Sequence, residues 1–266
     1  MEDKILDWQG KKIYYRVTGK GKPVLLLHGF GEDGNVWENQ VQVLKENFRL
    51  IIPDIPGSGR SELVDNANID TYAEIVRAIL DTEENAQDEI CLVGHSMGGY
   101  ITLAFAEKYP QYLNSFGLFH STASPDTDEK KQTRKKAIEF IKEKGAYAFL
   151  KTSTPGLFTE EFKRSNAGKV EALIEAGKNF TDAALVQYYE AMIARPDRTH
   201  VLKDCDKPVL FIMGEHDNAV PMQSSLKQCY LPLVSHVHIL NSSAHMGMWE
   251  ETDKSNTILE EFISFY

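Results

Sequence analysis

The sequence has few cysteines and no long apolar run, and these two shortages argue against several classes of protein. Its 3 cysteines are odd in number and fit no zinc-binding spacing. Free thiols are typical of a reducing compartment, so a fold built on disulfides is not expected. No apolar stretch is long enough to span a bilayer. The first residues, MEDKI, are acidic where a secretory signal is basic and then apolar, so we expect a cytoplasmic protein that binds no membrane.

Positive charge is also scarce in this chain. It holds 29 Lys and Arg against 39 Asp and Glu, which gives a formal net charge of −10. Because nucleic-acid surfaces need clustered Lys and Arg, no nucleic acid is expected as a partner. One basic run, KKQTRKK at residues 130–136, follows several acidic residues. We interpret it as a solvated helix face, with a phosphate or anionic-lipid site as the alternative.

What the chain does have is an alternation of short apolar runs with helical patterns along most of its 266 residues. The apolar runs predict strands at residues 12–18, 23–27, 49–52, 89–93, 115–119, 208–213 and 237–240. Helical spacing predicts helices at residues 36–46, 71–80 (with Asp70 as the N-cap), 97–107, 222–229 and 258–265. Such alternation indicates an α/β fold with a mostly parallel, doubly wound sheet and crossover helices.

The alternation stops between about residues 121 and 199. This segment shows helical patterns at residues 137–149, 170–175 and 183–193, and no convincing strand. We therefore predict an α/β core formed by residues 1–120 and 200–266, with a helical insertion at residues 121–199. The insertion is expected over the C-terminal edge of the sheet, where ligands bind in open α/β folds.

The chemical signal is the segment GHSMGG at residues 94–99, which lies between a predicted strand and a predicted helix. Gly94 and Gly98 flank Ser96 in a Gly-x-Ser-x-Gly pattern. A sharp strand-to-helix turn crowds the backbone, so its flanking positions exclude a Cβ atom. Such a turn lifts the serine hydroxyl above the sheet edge and strains its backbone. A five-residue pattern also occurs in ordinary turns, but the strand and helix around this one favour a nucleophilic serine.

A serine hydroxyl needs a base to take its proton, and the base needs an acid to orient it. Among the 8 histidines, His245 follows the predicted strand VHIL, in a loop at the expected sheet edge. Asp217 follows the predicted strand PVLFIM, which gives the chain order Ser96, Asp217, His245. Glu215 and Asp126 are the alternative acids.

Two backbone amides are candidates to hold an oxyanion. One is the N–H of Met97, directly after the serine, and the other is the N–H of Phe30 in the loop HGFG after the strand PVLLL. His28 in this loop is expected to brace the backbone rather than to transfer a proton. An ordinary strand-end turn is the alternative interpretation of the loop.

Five segments in order resemble the α/β-hydrolase superfamily. They are HGFG (28–31), DIPGSGRS (54–61), GHSMGG (94–99), GEHDNAVP (214–221) and SSAHMGMWE (242–250). The resemblance implies the α/β-hydrolase fold, in which residues 121–199 form the variable cap. It assigns the nucleophile, acid, base and two oxyanion donors to Ser96, Asp217, His245, Phe30 and Met97.

The resemblance also implies a serine hydrolase that works through an acyl-enzyme, and the apolar residues beside the motifs favour small, largely apolar carboxylic esters as substrates. Trp37, Met246 and Met248 are expected to bind substrate, although such residues more often fill a core. The same triad serves C–C bond hydrolases, thioesterases, lactonases and perhydrolases, and these remain alternatives, as does a non-catalytic binding protein with this fold. The expected partner is a small-molecule ester or related acyl compound, and no metal or organic cofactor is expected.

Overall fold

The computed structural model describes residues 1–83 and 89–266 of the chain, and their strands form one sheet. The strands are β1 (Glu2–Trp8), β2 (Lys11–Thr18), β3 (Lys22–Leu27), β4 (Phe48–Pro53), β5 (Ile90–His95), β6 (Leu113–Phe119), β7 (Val209–Gly214) and β8 (Ser235–Leu240). Their order in the sheet is β1-β2-β4-β3-β5-β6-β7-β8. The strand β2 pairs antiparallel with β1 and β4, and the other neighbouring pairs are parallel. The predicted mostly parallel sheet is therefore confirmed.

Helices follow most of the parallel strands, as the alternation predicted. Those that precede the insertion are α1 (Glu38–Leu44), α2 (Ile69–Thr82) and α3 (Met97–Lys108). Those inside residues 121–199 are α4 (Asp128–Lys144), α5 (Ala146–Ser153), α6 (Glu160–Ser165), α7 (Ala167–Ala176) and α8 (Asp182–Ala194). Those that follow α8 are α9 (Thr199–Asp204), α10 (Met222–Leu226), α11 (Gly247–Glu250) and α12 (Thr252–Phe265).

Two hydrophobic clusters cover the two faces of the sheet. Neighbouring residues of β3 alternate between them, because side chains of a strand point to opposite faces. Leu25 and Leu27 pack in the cluster that holds the apolar faces of α2 and α3. Val24 and Leu26 pack in the cluster that holds α1 and α12. A sheet with helices on both faces explains why its central strands are continuous apolar runs.

The sheet topology brings distant residues to one edge. The carboxyl ends of parallel strands meet at the same edge, and here six such strands, from β4 to β8 in the sheet order, end side by side. A loop at residues 28–33, which we call the β3 loop, follows β3. Ser96 follows β5, His120 follows β6, Asp217 lies in the loop after β7, and His245 lies in the loop after β8.

Several local predictions need correction. The predicted helix at residues 36–46 begins instead as a 3₁₀ turn, Gly34–Trp37, before α1. Asn68 rather than Asp70 caps α2, since its side chain accepts a hydrogen bond from the Thr71 amide at 3.0 Å. The strand β1 was not predicted, because it is an edge strand whose side chains alternate between exposed and half-buried.

The insertion is helical throughout its ordered elements, and the described residues form no strand within it. The predicted helix at residues 137–149 is two helices, α4 and α5, because Gly145 breaks it with a φ of 92°. Its boundaries as a separate unit stay a prediction. None of the helices in the described part of the chain combines the length and the apolar content that crossing a bilayer requires.

Glu83 ties the end of α2 to the antiparallel side of the sheet. Its fully buried carboxylate accepts hydrogen bonds from Lys4 Nζ at 3.1 Å, from Tyr15 Oη at 2.7 Å and from Arg49. Burial by itself would raise the pKa of Glu83, but these donors and cations outweigh burial and lower it. The carboxylate is therefore ionised at neutral pH.

We expect Glu83→Gln to destabilise the fold by about 1–3 kcal/mol, since it leaves buried donors and cations without their partner. Urea unfolding at pH 7 measures this loss of free energy. Glu2→Gln is the control, because Glu2 is an exposed acid 3.8 Å from the same Lys4 and surface pairs contribute about 0–1 kcal/mol. Equal unfolding midpoints for the two variants would contradict the expectation.

Candidate active site

Ser96 occupies a strained turn between β5 and α3. Its φ of 51° and ψ of −114° are costly for a residue with a Cβ atom. Three hydrogen bonds hold this conformation. The Ser96 amide donates to the Phe119 carbonyl at 2.9 Å, and the Ser96 carbonyl accepts from the Gly99 amide at 3.0 Å and from Ser121 Oγ at 2.7 Å.

The flanking glycines are a steric requirement of this turn. A Cβ atom on Gly94 would lie 2.2 Å from the Gly98 carbonyl oxygen. A Cβ atom on Gly98 would lie 2.6 Å from the carbonyl oxygens of Leu27 and His28 at the end of β3. The Gly-x-Ser-x-Gly pattern is thus explained by close packing of the backbone, as the sequence suggested.

Ser96 and His245 line the same cavity, which has a volume of about 520 Å³. Ser96 is half-buried at its wall, directly before the first turn of α3. Among the described residues, Ser96 Oγ makes no hydrogen bond, so its hydroxyl and the imidazole of His245 share the cavity without a direct bond.

Asp217 is the carboxylate that contacts His245. Its Oδ2 atom lies 2.8 Å from His245 Nδ1, and its Oδ1 atom accepts hydrogen bonds from the Ala219 and Val220 amides, each at 2.8 Å. Burial alone would raise the pKa of Asp217, but His245 and a second histidine, His120, lower it far below its ordinary value. Asp217 is therefore ionised.

The two alternative acids lie elsewhere. Glu215 is exposed to solvent. Asp126 is buried, but it pairs with Arg134 at 2.6 Å and with Arg195 at 2.9 Å instead of with a histidine. The structure thus brings Asp217, and neither alternative, to His245.

His120 is a member of this cluster that the sequence interpretation missed. Its Nδ1 atom lies 3.0 Å from Asp217 Oδ2, which completes four donors around that carboxylate. Its Nε2 atom is buried and has no hydrogen-bond partner within residues 1–83 and 89–266. Burial lowers the pKa of His120 to about 4, against the opposing effect of Asp217. A histidine directly after β6 falls on the same sheet edge as the other site residues, and this was the available signal.

His120, Asp217 and His245 are residue types that also bind metal ions. Ligand atoms of His120, Asp217 and His245 lie within 4.8 Å of one another. However, the Nδ1 atoms of both histidines face the Asp217 carboxylate, so both nitrogens carry protons and offer no lone pair to a metal. The arrangement is that of a hydrogen-bonded acid, and we assign no metal to it.

Two free backbone amides flank the serine. Neither the Phe30 nor the Met97 amide donates a hydrogen bond to another described residue. The β3 loop lies directly against the serine, because a Cβ atom on Gly29 would be 3.1 Å from Ser96 Cβ. Unpaired donors beside a nucleophile are what an oxyanion requires.

The expected substrate-binding residues need correction. Trp37, Met246 and Met248 are each 0% exposed and lie in the core cluster with α1 and α12, outside the cavity wall. Trp37 packs edge-on against Phe119 with ring centroids 5.5 Å apart. The apolar part of the cavity wall instead includes Phe30, Leu150, Leu157, Leu173 and Met192.

The basic run of residues 130–136 is not wholly a solvated face. Lys130 and Arg134 line the cavity, together with Tyr189. Arg134 is only 12% exposed and shares Asp126 with Arg195, so two guanidinium groups face one carboxylate. Glu129 of α4 also lines the cavity, so this side of the wall presents two cations and one acid.

Comparisons with known proteins identify the fold family of this chain. A model of the alpha/beta hydrolase fold family matches residues 22–252. A 2-hydroxy-6-oxononadienedioate/2-hydroxy-6-oxononatrienedioate hydrolase of Paraburkholderia phymatum is 26% identical, over 95% of this chain and 91% of its own. A 2-hydroxy-6-oxo-6-phenylhexa-2,4-dienoate hydrolase of Comamonas testosteroni is also 26% identical, over 94% and 91%.

Solved structures give the same result for the fold. A thermophilic esterase from Thermogutta terrifontis superposes with a TM-score of 0.92 at 25% identity, over 99% of this chain and 98% of that one. An enol-lactonase from Burkholderia xenovorans superposes with a TM-score of 0.90 at 20% identity, over 98% and 100%. At that lower identity the likeness concerns the fold alone.

The buried His120 predicts a dependence of stability on pH. The folded chain keeps His120 neutral down to about pH 4, whereas the unfolded chain protonates it near the ordinary value of 6.5. Because the unfolded state binds the extra proton between these values, this contribution to stability is present above pH 6.5 and is lost as the pH falls toward 4.

We expect the difference in unfolding free energy between the native protein and a His120→Gln variant to shrink by about 2 kcal/mol from pH 7.5 to pH 5. Urea unfolding of both proteins at both pH values measures this difference. Groups that titrate equally in the two proteins cancel from it. An unchanged difference would mean that folding does not lower the pKa of His120.

Proposed function

Because this chain belongs to the alpha/beta hydrolase fold family, we propose that it is a serine hydrolase that cleaves small, largely apolar carboxylic esters. The observation that carries the proposal is the strained Ser96 turn, which shares a cavity with a histidine bound to a buried carboxylate. In this proposal Ser96 is the nucleophile, His245 is the base, and Asp217 orients the base.

The reaction proceeds through an acyl-enzyme. His245 Nε2 takes the proton of Ser96 as its Oγ atom attacks the ester carbonyl carbon, and the carbonyl oxygen becomes an oxyanion held by the Phe30 and Met97 amides. The intermediate collapses when the C–O bond to the alcohol breaks and His245 gives its proton to the leaving oxygen. A water molecule, deprotonated by His245, then attacks the acyl carbon. The C–O bond to Ser96 breaks, His245 returns its proton to Ser96 Oγ, and the carboxylic acid leaves.

The electrostatics of the site support these roles. Ionised Asp217 accepts a hydrogen bond from His245 Nδ1, which leaves Nε2 as the nitrogen that accepts the serine proton. The carboxylate also stabilises the imidazolium that forms during the reaction. The direct bond between Ser96 and His245 is expected to form with bound substrate, since such bonds commonly tighten only in the complex.

The cavity supports a small substrate and a capping role for the insertion. Its volume of about 520 Å³ lies within the range of small-molecule pockets. Much of its wall comes from α4, α5, α7 and α8, whereas Ser96 and His245 come from the sheet edge. We therefore propose residues 121–199 as a cap that selects the substrate while the core performs the chemistry.

A second candidate is hydrolysis of a C–C bond in a substrate that carries a carboxylate. The positively charged wall formed by Lys130 and Arg134 favours it, and the two similar hydrolases above are named for carboxylate substrates. The same serine, histidine and amides would serve this reaction. Assays on vinylogous diketones and on aryl esters separate the two candidates.

We expect Ser96→Ala and His245→Ala each to reduce kcat/KM for an aryl ester by at least about 10³-fold, because the two groups act as one unit. For the same reason the double variant should be no more than a few-fold slower than either single variant. Steady-state hydrolysis of a short-chain aryl ester measures all three.

Ser124→Ala is the matched control, since Ser124 is also half-buried but does not line the cavity. Labelling with a fluorophosphonate supplies an independent readout. The native protein and Ser124→Ala should be tagged at Ser96, and Ser96→Ala should not. Absence of labelling in the native protein would favour a non-catalytic binding protein.

We expect Lys130→Met to raise KM several-fold for an ester that carries a carboxylate, because it removes one cation from the cavity wall. KM for a neutral ester of the same size should stay unchanged. Lys131→Met is the control, since the neighbouring lysine is equally half-buried but lies outside the wall. Equal effects of the two variants would exclude recognition of a carboxylate by Lys130.

A further inference from the structure

His95 is a buried imidazole that contacts two other loops of the site. Its Nε2 atom lies 3.0 Å from the backbone carbonyl oxygen of His245. Its Nδ1 atom lies 2.9 Å from Glu32 Oε2. The same Oε2 atom accepts a hydrogen bond from the Gly29 amide at 2.7 Å. A continuous chain of hydrogen bonds therefore joins the β3 loop, the serine turn and the His245 loop.

The protonation state of His95 follows from its neighbours. A carbonyl oxygen is an acceptor only, so the Nε2 atom that faces His245 carries a proton. The Nδ1 atom faces a carboxylate oxygen that already accepts a bond from Gly29. A second proton therefore lies between Nδ1 and Glu32, and the group is either a neutral pair or an ion pair.

The surrounding charges favour the ion pair. The side chains of His95 and Glu32 are 0% and 3% exposed. Burial alone would lower the pKa of His95, but Glu32 outweighs burial and raises it. Burial alone would raise the pKa of Glu32, but His95 and the Gly29 amide lower it. The other titratable groups that face the pair are His28, His120, Asp217 and His245.

We propose that Glu32 and a positively charged His95 form a buried ion pair that positions the base and the oxyanion amides relative to Ser96. Glu32 borders the cavity, but its Oε2 atom faces the Gly29 amide and His95 rather than the serine, so we treat both residues as positioning residues. The inference rests on the proposed function, because it concerns the placement of His245 and of the Phe30 amide. Glu32 and His95 are distant in sequence, and their hydrogen bonds hold the β3 loop and the His245 loop in place beside the serine turn.

Glu32→Gln tests this arrangement because one oxygen atom accepts both bonds. If the amide oxygen of Gln occupies that position, Nδ1 must carry the single proton of a neutral imidazole, and the bare Nε2 atom repels the His245 carbonyl. If the amide nitrogen occupies it, its N–H groups face the N–H of Gly29. Both are donors, so the hydrogen bond from Gly29 is lost. Whichever way the side chain is oriented, one of the three links is lost at neutral pH.

The expected result is a fall in kcat of about 10- to 100-fold for a neutral aryl ester with little change in KM, since misplaced groups lower the rate of the chemical step. The pH profile should also change shape. In the native protein the alkaline limb of kcat/KM that reports loss of the His95 proton should lie above the ordinary range of a histidine, because Glu32 raises the pKa of His95. In Glu32→Gln this limb should move to lower pH, because the carboxylate that holds the proton is gone.

Glu83→Gln is the matched control, because it also removes the charge of a buried carboxylate. Glu83 contacts β1, β2 and β4 and none of the site residues. It should lower stability and leave both limbs of the pH profile in place. If Glu32→Gln shows the native profile, or a change that Glu83→Gln shares, the positioning role is overturned.

Histidine ¹⁵N NMR of the native protein tests the ion pair without any variant at Glu32. At pH 8, His95 should show two protonated ring nitrogens, and a single protonated nitrogen would overturn the proposal. Ester hydrolysis and fluorophosphonate labelling of the native protein are measured alongside. A native protein that is inactive and unlabelled refutes the proposed function itself, whereas an active protein with a neutral His95 refutes only this inference.

Discussion

The site depends on one backbone constraint, which is the left-handed conformation of Ser96 between β5 and α3. A residue with a Cβ atom resists this conformation by about 1–3 kcal/mol, so the surrounding structure must hold it. Both the N–H and the C=O group of Ser96 are hydrogen-bonded. The flanking glycines let neighbouring carbonyl groups approach within contact distance. Because β3, β5 and β6 all contribute to this packing, the position of the serine is fixed by the centre of the sheet and not by a surface loop.

Buried charge is the second feature that organises the edge of the sheet. Asp217 and Glu32 are both almost fully buried, and isolated carboxylates in such places would be neutral. Each is kept ionised by histidines from other parts of the chain and by backbone amides of its own loop. The histidines differ in their charge for the same reason. Glu32 raises the pKa of His95, whereas burial prevails at His120, whose carboxylate partner is already saturated with donors.

Those site residues whose position follows from strand order could be predicted from the sequence. Ser96, Asp217 and His245 each follow a recognisable apolar strand, and parallel strands end at one edge. Glu32 and His120 were missed because their partners lie 63 and 97 residues away, and local patterns carry no information on such pairs. The substrate-binding assignments of Trp37, Met246 and Met248 were wrong for a related reason: an apolar residue beside a motif is buried either in a core or in a cavity, and periodicity does not separate the two.

The insertion shows the limit of local charge patterns. The basic run around Arg134 looks like a solvated face because its neighbours in sequence are acidic and polar. In the fold, Arg134 and Arg195 converge on Asp126 from opposite ends of the insertion, so the carboxylate neutralises one cation and leaves the other. Arg195 also donates to the carbonyl oxygens of Met192 and Ser124 and lies over the ring of Tyr100, so its charge is held inside the fold and away from the cavity wall. Which cation reaches the cavity is therefore decided by the packing of α4 against α8, and a charge pattern along the sequence carries no information on it.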